Sequence, residues 1–123
     1  MTDAGDIRNW EAFARTPWEW AWAARALPRG ITPTDIDGLI EIGDQYLIIE
    51  TKEPGVPLPV GQRLALERLR RRVSGVLLII WGQKDEPESV ELQWDGGTRI
   101  YNTANRQKVL DIFEWFARCA ESP

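Results

Sequence analysis

Apolar positions change period several times along the chain, and each change marks an element. Over residues 35–42, and again over 45–52, β-branched and apolar residues alternate with polar ones, and Gly43-Asp44 separates the two runs. A period of two broken by a Gly-containing pair predicts a β-hairpin. Glycine first in the pair suits a two-residue type II′ turn, which sets Ile42 opposite Gln45, Asp37 opposite Glu50 and Asp35 opposite Lys52. After a Pro- and Gly-containing loop, the period lengthens, and Gln62, Leu66, Leu69 and Val73 form one stripe of a helix over 60–73. The apolar run 76–81 follows at once. Strand, helix, strand at this spacing is a crossover unit, so 76–81 should lie parallel to 45–52 with the helix on one face.

A second alternating run, Val90, Leu92 and Trp94, leads through Asp95-Gly96-Gly97 to a short strand near Arg99–Tyr101, and predicts a second hairpin after a loop over 82–87. Val109, Ile112, Phe113, Phe116 and Ala120 then make a helical stripe, with Thr103 as a candidate cap. Upstream, Met1–Asp6 reads as a frayed end, and Trp10, Phe13 and Ala14 as a short helical stretch. Thr16, Pro17 and Glu19 form a capping box that starts a helix running to about Leu27, and Pro28-Arg29-Gly30 ends it. The fold class is therefore α/β, with a mixed central sheet flanked by helices on both faces.

Composition narrows what this scaffold can do. A chain of 123 residues suits one domain over 1–123 with one core. Seven tryptophans predict an aromatic-rich core, with most of them buried or partly buried. Histidine is absent, which removes serine-type triads and His-bound zinc. The single cysteine, Cys119, excludes an intrachain disulfide, points to a reducing cytoplasmic compartment and reads as a small buried hydrophobe on a helix. No apolar stretch reaches membrane-spanning length, so no membrane partner is expected. The net charge of −4 argues against phosphate binding over the whole surface and turns attention to local patches.

Alternation puts Asp35, Asp37, Leu39, Glu41, Tyr46, Ile48, Glu50 and Lys52 on one face of the first hairpin. Ile36, Ile40, Ile42, Leu47 and Ile49 fall on the other, the wall a helix covers. Opposed carboxylates destabilise a sheet unless something neutralises them, and a divalent cation would do so. Oxygen-only ligands suit Mg²⁺ or Mn²⁺ better than zinc. Lys52, about 7 Å beyond Glu50 along the strand, is near enough to orient a water or to stabilise charge on a phosphate under attack. Together these side chains can hydrolyse a phosphodiester.

Three segments carry a family resemblance: Pro33-Thr34-Asp35-Ile36-Asp37-Gly38, Ile48-Ile49-Glu50-Thr51-Lys52, and Gly61-Gln62 opening an Arg-rich helix. Across residues 31–81 the chain resembles the PD-(D/E)XK, or restriction-endonuclease-like, nuclease core. It is similar in particular to small phage-encoded and Holliday-junction-resolvase-like members and to the VRR-NUC group, in which a glutamine follows the E-x-K motif. The resemblance implies Asp37 and Glu50 as metal ligands, Lys52 as the catalytic lysine and Gln62 as an auxiliary residue. Asp35 and Asp37 share a face, and the pairing favours Asp37 as the motif aspartate, with Asp35 as an ion-pair partner for Lys52. The strand that precedes the Asp-bearing one in many members has little room here. Gln62 has an independent argument, because it stands where the sheet-facing stripe would ordinarily be apolar, and a buried amide needs a partner.

Other residues carry weaker expectations, each beside a plainer alternative. Arg63, Arg70 and Arg71 on the crossover helix, with Arg29 near the Asp35 loop, are candidates for nucleic-acid backbone contact, against the alternative of a solvated basic face. Glu19 is a possible extra carboxylate, since resolvase-like members carry one on the first helix, although its capping position accounts for it more cheaply. Glu11 is a weaker rival. Trp18, Trp20 and Trp22 could stack bases, but their helical spacing favours a core or homodimer contact. The expectation is a Mg²⁺-dependent nuclease acting on DNA, with branched or flapped structures suggested by the resemblance. The alternative is a catalytically inactive nuclease-fold module that binds nucleic acid or a protein partner.

Overall fold

The computed structural model describes residues 18–122, in two compact units that divide between Pro33 and Thr34. The second unit holds one five-stranded mixed sheet in sequential order: β1 (Gly38–Ile42), β2 (Gln45–Lys52), β3 (Val76–Gln83), β4 (Glu86–Trp94) and β5 (Gly97–Tyr101). Two helices accompany it, α1 (Val60–Arg72) between β2 and β3, and α2 (Arg106–Glu121) at the end. Only β2 and β3 are parallel, and α1 is their crossover.

β1 and β2 pair from Ile42↔Gln45 to Gly38↔Ile49, the register expected from a two-residue turn. The turn itself differs in type. Gly43 and Asp44 both have positive φ, 53° and 67°, which is the type I′ pattern rather than II′. Aspartate tolerates this conformation, and the Glu41 carboxylate fixes it by accepting the Asp44 N–H at 2.8 Å.

Alternation along β2, β3 and β4 sorts side chains between two cores. Leu47, Val76, Leu78, Val90 and Leu92 meet Val109, Ile112 and Phe116 of α2 on one face. Ile48, Leu77 and Ile79 meet Leu58 and Leu66 of the α1 side on the other. β3 supplies both cores, so it reads as an unbroken apolar run, as a strand covered on both faces must. Trp94 adds an edge-on contact to Trp115 of α2, with ring centroids 5.8 Å apart.

Several expectations fail locally. The supposed loop over 82–87 is a tight turn at Lys84-Asp85 between longer strands, with a bulge at Trp81/Gly82. A side chain at Gly82 would stand 2.2 Å from the Glu86 carbonyl oxygen, so glycine lets the strands close there. Asn105, not Thr103, caps α2, accepting the Lys108 N–H at 3.1 Å. Cys119 is on α2 as expected but exposed, outside the helix's buried stripe. On α1, Leu69 is 38% exposed, and the sheet-facing positions are Leu66 and Arg70.

In the N-terminal unit, the expected α-helix is replaced by two 3-10 stretches, Ala21–Ala26 and Pro28–Gly30. Trp18, Trp20 and Trp22 stack in succession, with centroids 5.7 and 5.8 Å apart. An α-helix turns residues two apart away from each other, so this indole stack and α-helical geometry exclude each other. Trp18 and Trp22 are mostly exposed. The expectations for 1–17, including Glu11 and the Thr16-Pro17 cap, lie outside the described residues. Among those described, no helix is long and apolar enough to cross a membrane.

Candidate active site

The site forms where β1 ends and β2 continues. The ladder stops at Gly38↔Ile49, and Asp37, one residue further, turns its carboxylate onto β2. Its Oδ2 accepts the Thr51 N–H at 2.8 Å and the Thr51 hydroxyl at 3.0 Å. The Asp37 and Glu50 carboxyl groups are near enough for each to shift the other's ionisation. The strand register stops one residue short of the expected Asp37–Glu50 pair, and Asp37 comes near Glu50 as a loop residue held on Thr51.

Glu50 is buried, at 3% exposure, between Ile48 and the start of α1. Gln62, in the first turn of α1, donates its side-chain amide to Glu50 Oε2. The amide that looked out of place in an apolar stripe thus finds its partner in the motif glutamate. Both carboxylates are now held through one oxygen each, Asp37 by Oδ2 and Glu50 by Oε2, which leaves Oδ1 and Oε1 for a shared proton or a cation.

Electrostatics follow from that geometry. Burial, then the hydrogen bond and negative charge of Asp37, push the Glu50 pKa up to about 8, against smaller lowering by Lys52 and the Thr51 amide. Burial also works to raise Asp37, but its hydrogen bonds with Glu50 and Thr51 and the Lys52 charge outweigh it, and its pKa falls below the ordinary value. The two shifts run in opposite directions, so the protonated form is favoured on Glu50 and the charged form on Asp37. Half-buried Lys52, beside Trp81 of β3, acts on both carboxylates.

No protein-family model, curated protein or solved structure matches the chain.

The pair itself fits a hard divalent cation: two carboxylate ligands, no nitrogen or sulfur, and a buried carboxyl beside a second one, whose mutual repulsion a positive charge would relieve. Among the described residues no three Asp, Glu or Cys side chains gather into a metal-ligating group. A cation here would fill its shell with water and substrate oxygens, as Mg²⁺ usually does. Asp35 is exposed and precedes β1, so the strand pleat does not orient it, and among the described residues Lys52 has no ion pair with it. Glu19 and Arg29 are exposed residues of the N-terminal unit.

Two of the arginines are committed elsewhere. Arg63 reaches Glu91 at 2.7 and 3.1 Å and Glu67 at 3.4 Å. The Glu91 bond, offset in part by burial, raises the Arg63 pKa, and the same bond holds Glu91 below its ordinary value. Gln93 completes the cluster by donating to Glu67 at 2.8 Å and to Glu91 at 2.7 Å. Arg70 is buried and bonds the Gly75 carbonyl oxygen and Asp95. Neither side chain is free for a phosphate in this arrangement, whereas Arg71 is exposed, as are Arg68 and Arg72.

Sequence reasoning missed Thr51 and Glu91. Thr51 is the variable residue inside the E-x-K spelling, so nothing in the motif marks it. Glu91 has a detectable signal: Glu50, Ile79 and Glu91 stand opposite one another across β2, β3 and β4, and the consecutive helix residues Gln62 and Arg63 each hold one of the two carboxylates.

Proposed function

We propose that the chain is a metal-dependent nuclease of the PD-(D/E)XK, restriction-endonuclease-like kind, hydrolysing phosphodiester bonds in DNA. The carrying observation is the Asp37–Glu50 pair, oriented by Thr51 and Gln62, with the Glu50 pKa raised by burial and by Asp37, and with Lys52 two residues beyond it on β2. A structural αβ protein gains nothing from a buried carboxyl opposed to a second one. A hydrolase does, because such a pair binds a cation strongly once its proton leaves.

Asp37 and Glu50 would hold Mg²⁺ or Mn²⁺. When bound, the ion supplies positive charge that acidifies water and neutralises a phosphate oxygen. Thr51 keeps Asp37 from rotating away, and Gln62 fixes Glu50 Oε2, which leaves Oε1 for the ion. Lys52 offers a charged donor to a phosphate lying over the end of β2 and opposes the negative charge that grows there during hydrolysis.

One observation favours a second reading, a catalytically inactive nuclease-fold module, and within it a protein partner over nucleic acid: Arg63 and Arg70 are spent in internal ion pairs on a chain of net charge −4. Labelled linear, single-stranded, flapped and four-way DNA, incubated with Mg²⁺, Mn²⁺ or EDTA, separates the two. Cleavage that needs metal and is lost in the Glu50→Ala, Lys52→Ala double variant supports the nuclease. Binding without cleavage of any substrate supports the module.

A further inference from the structure

On the α2 face of the sheet, directly behind the candidate active site, lies a groove of about 700 Å³. Its floor is apolar, from Ile80 of β3 and Val109 and Leu110 of α2, and Thr51 and Lys52 form the wall nearest the carboxylate pair. The volume lies within the range of sites that enclose small organic ligands. Thr51 belongs to both places, since its hydroxyl and N–H hold Asp37 while the residue lines the groove.

The rim is mixed. Lys52, Lys84 and Arg106 line it, and among the described residues none of the three forms an ion pair, although Arg106 Nε donates to the Asp85 carbonyl oxygen at 2.6 Å and so offers only its terminal nitrogens. Glu53, Asp85 and Glu86 line it too. A free anion gains little beside three carboxylates, and a purely apolar ligand would leave the six charges of the rim unused. A nucleoside with its phosphate uses every part: the base lies on the apolar floor, its edge and the sugar offer donors to the carboxylates, and the phosphate meets the ammonium and guanidinium groups.

We infer that this groove receives one unpaired nucleotide adjoining the bond to be cut, so that the substrate is nucleic acid with a base free to leave the stack next to the cleavage position. The identity of the occupant rests on the nuclease reading. The groove's affinity for a nucleotide does not. A base held in a duplex cannot reach an apolar floor beneath a helix, and unpairing costs least at single strands, flaps and junctions. Lys52 is then shared between the nucleotide in the groove and the phosphate beside Glu50.

The test titrates 2′-deoxyadenosine 5′-monophosphate into the full ¹⁵N-labelled chain in EDTA, which excludes binding through a metal, and follows backbone amides. In parallel, flap cleavage is measured with Mg²⁺. Leu110→Glu places a charge at the half-exposed edge of the floor, and Lys84→Glu, on the exposed β3–β4 turn, serves should the first variant misfold. The expected result is saturable shifts at Thr51, Gln83, Lys84 and Leu110, lost in either variant, with KM for flapped DNA raised about tenfold and kcat reduced much less. Cleavage by the wild type with no shifts at these amides and an unchanged KM in both variants overturns the groove and leaves the nuclease standing. Shifts without any cleavage overturn the nuclease and leave the groove as a nucleotide site; absence of both overturns both.

Discussion

Glu50 couples stability to pH in the direction opposite to most carboxylates. Its pKa in the folded chain, about 8, exceeds the ordinary 4.5, so the folded state holds the proton that the unfolded state gives up first. Metal-free stability should therefore fall as pH rises from about 4.5 to about 8, then level off, with a slope of at most about 1.4 kcal/mol per pH unit. Glu50→Gln removes that dependence, so the variant should melt above wild type at pH 8.5 in EDTA, by calorimetry. An equal or lower melting temperature there would argue against a buried, charge-intolerant Glu50. Asp37, with its lowered pKa, contributes the other way, stabilising above its ordinary range and losing that contribution as the solution is acidified. Gln62 acts through Glu50, and Gln62→Ala should weaken Mn²⁺ binding on the order of tenfold while the melting temperature changes little, as loss of an orienting partner does. Equal Mn²⁺ affinity in that variant would reduce Gln62 to a packing residue.

At the level of elements, α1 rests on the sheet in two ways. Leu66 packs on Ile48, Leu77 and Ile79, while the side towards β4 is joined by Arg63, Glu67, Glu91 and Gln93. With Glu91 buried and Arg63 about a third exposed, Glu91→Ala should destabilise by about 1–3 kcal/mol in urea unfolding, a buried ion-pair loss discounted for solvent. A double Arg63→Met, Glu91→Leu replacement should recover much of it, since an apolar pair leaves no orphaned charge. Failure to recover would mean that the pair specifies the position of α1 as well as its stability. For nucleic acid the division is equally testable: Arg71→Ala should weaken binding without changing stability, whereas Arg63→Ala should act mainly through stability.

These elements also show where the sequence was readable. The β1–β2 register needed only local alternation and a two-residue turn, which is why the Asp37–Glu50 pairing could be foreseen even though Gly43-Asp44 chose a different turn type. Gln62 was foreseeable because a lone amide in an apolar stripe demands a partner. The roles of Arg63 and Arg70 were not, because their acceptors lie 28 and 25 residues away, on β4 and the turn after it. Glu91 and Gln93 alternate with Val90, Leu92 and Trp94 and so resemble a solvated face, yet at 8% and 9% exposure both are covered. The N-terminal helix failed because a stripe of tryptophans spaced by two can satisfy itself ring against ring, without the helical turn that its capping signals suggested.

Over the whole sheet-bearing unit, both candidate sites lie at the ends of β2 and β3, the only parallel pair among the described strands. β2 and β3 run together into the region where Asp37 and Glu50 stand on one side of the strand, the groove opens on the other and Lys52 borders both, each face backed by its own helix. Ligand sites at the carboxyl ends of parallel strands are a general consequence of crossover topology, because the chain leaves the sheet there and makes room. The negative net charge and internally paired arginines predict modest, local phosphate contact, hence a shallow dependence of DNA affinity on salt, with a slope magnitude of roughly three or less. A slope near that of a broad basic surface would contradict this charge distribution.

At the centre of the proposed chemistry, the carboxylate pair takes up a cation in exchange for a proton. Calorimetric titration of Mn²⁺ into wild type at pH 7, repeated in buffers of different ionisation enthalpy, should give one site with release of about one proton, and release should vanish near pH 9.5. Asp37→Ala and Glu50→Gln should abolish the site while retaining the fold. Absence of binding in wild type, or binding that survives in both variants, would contradict it.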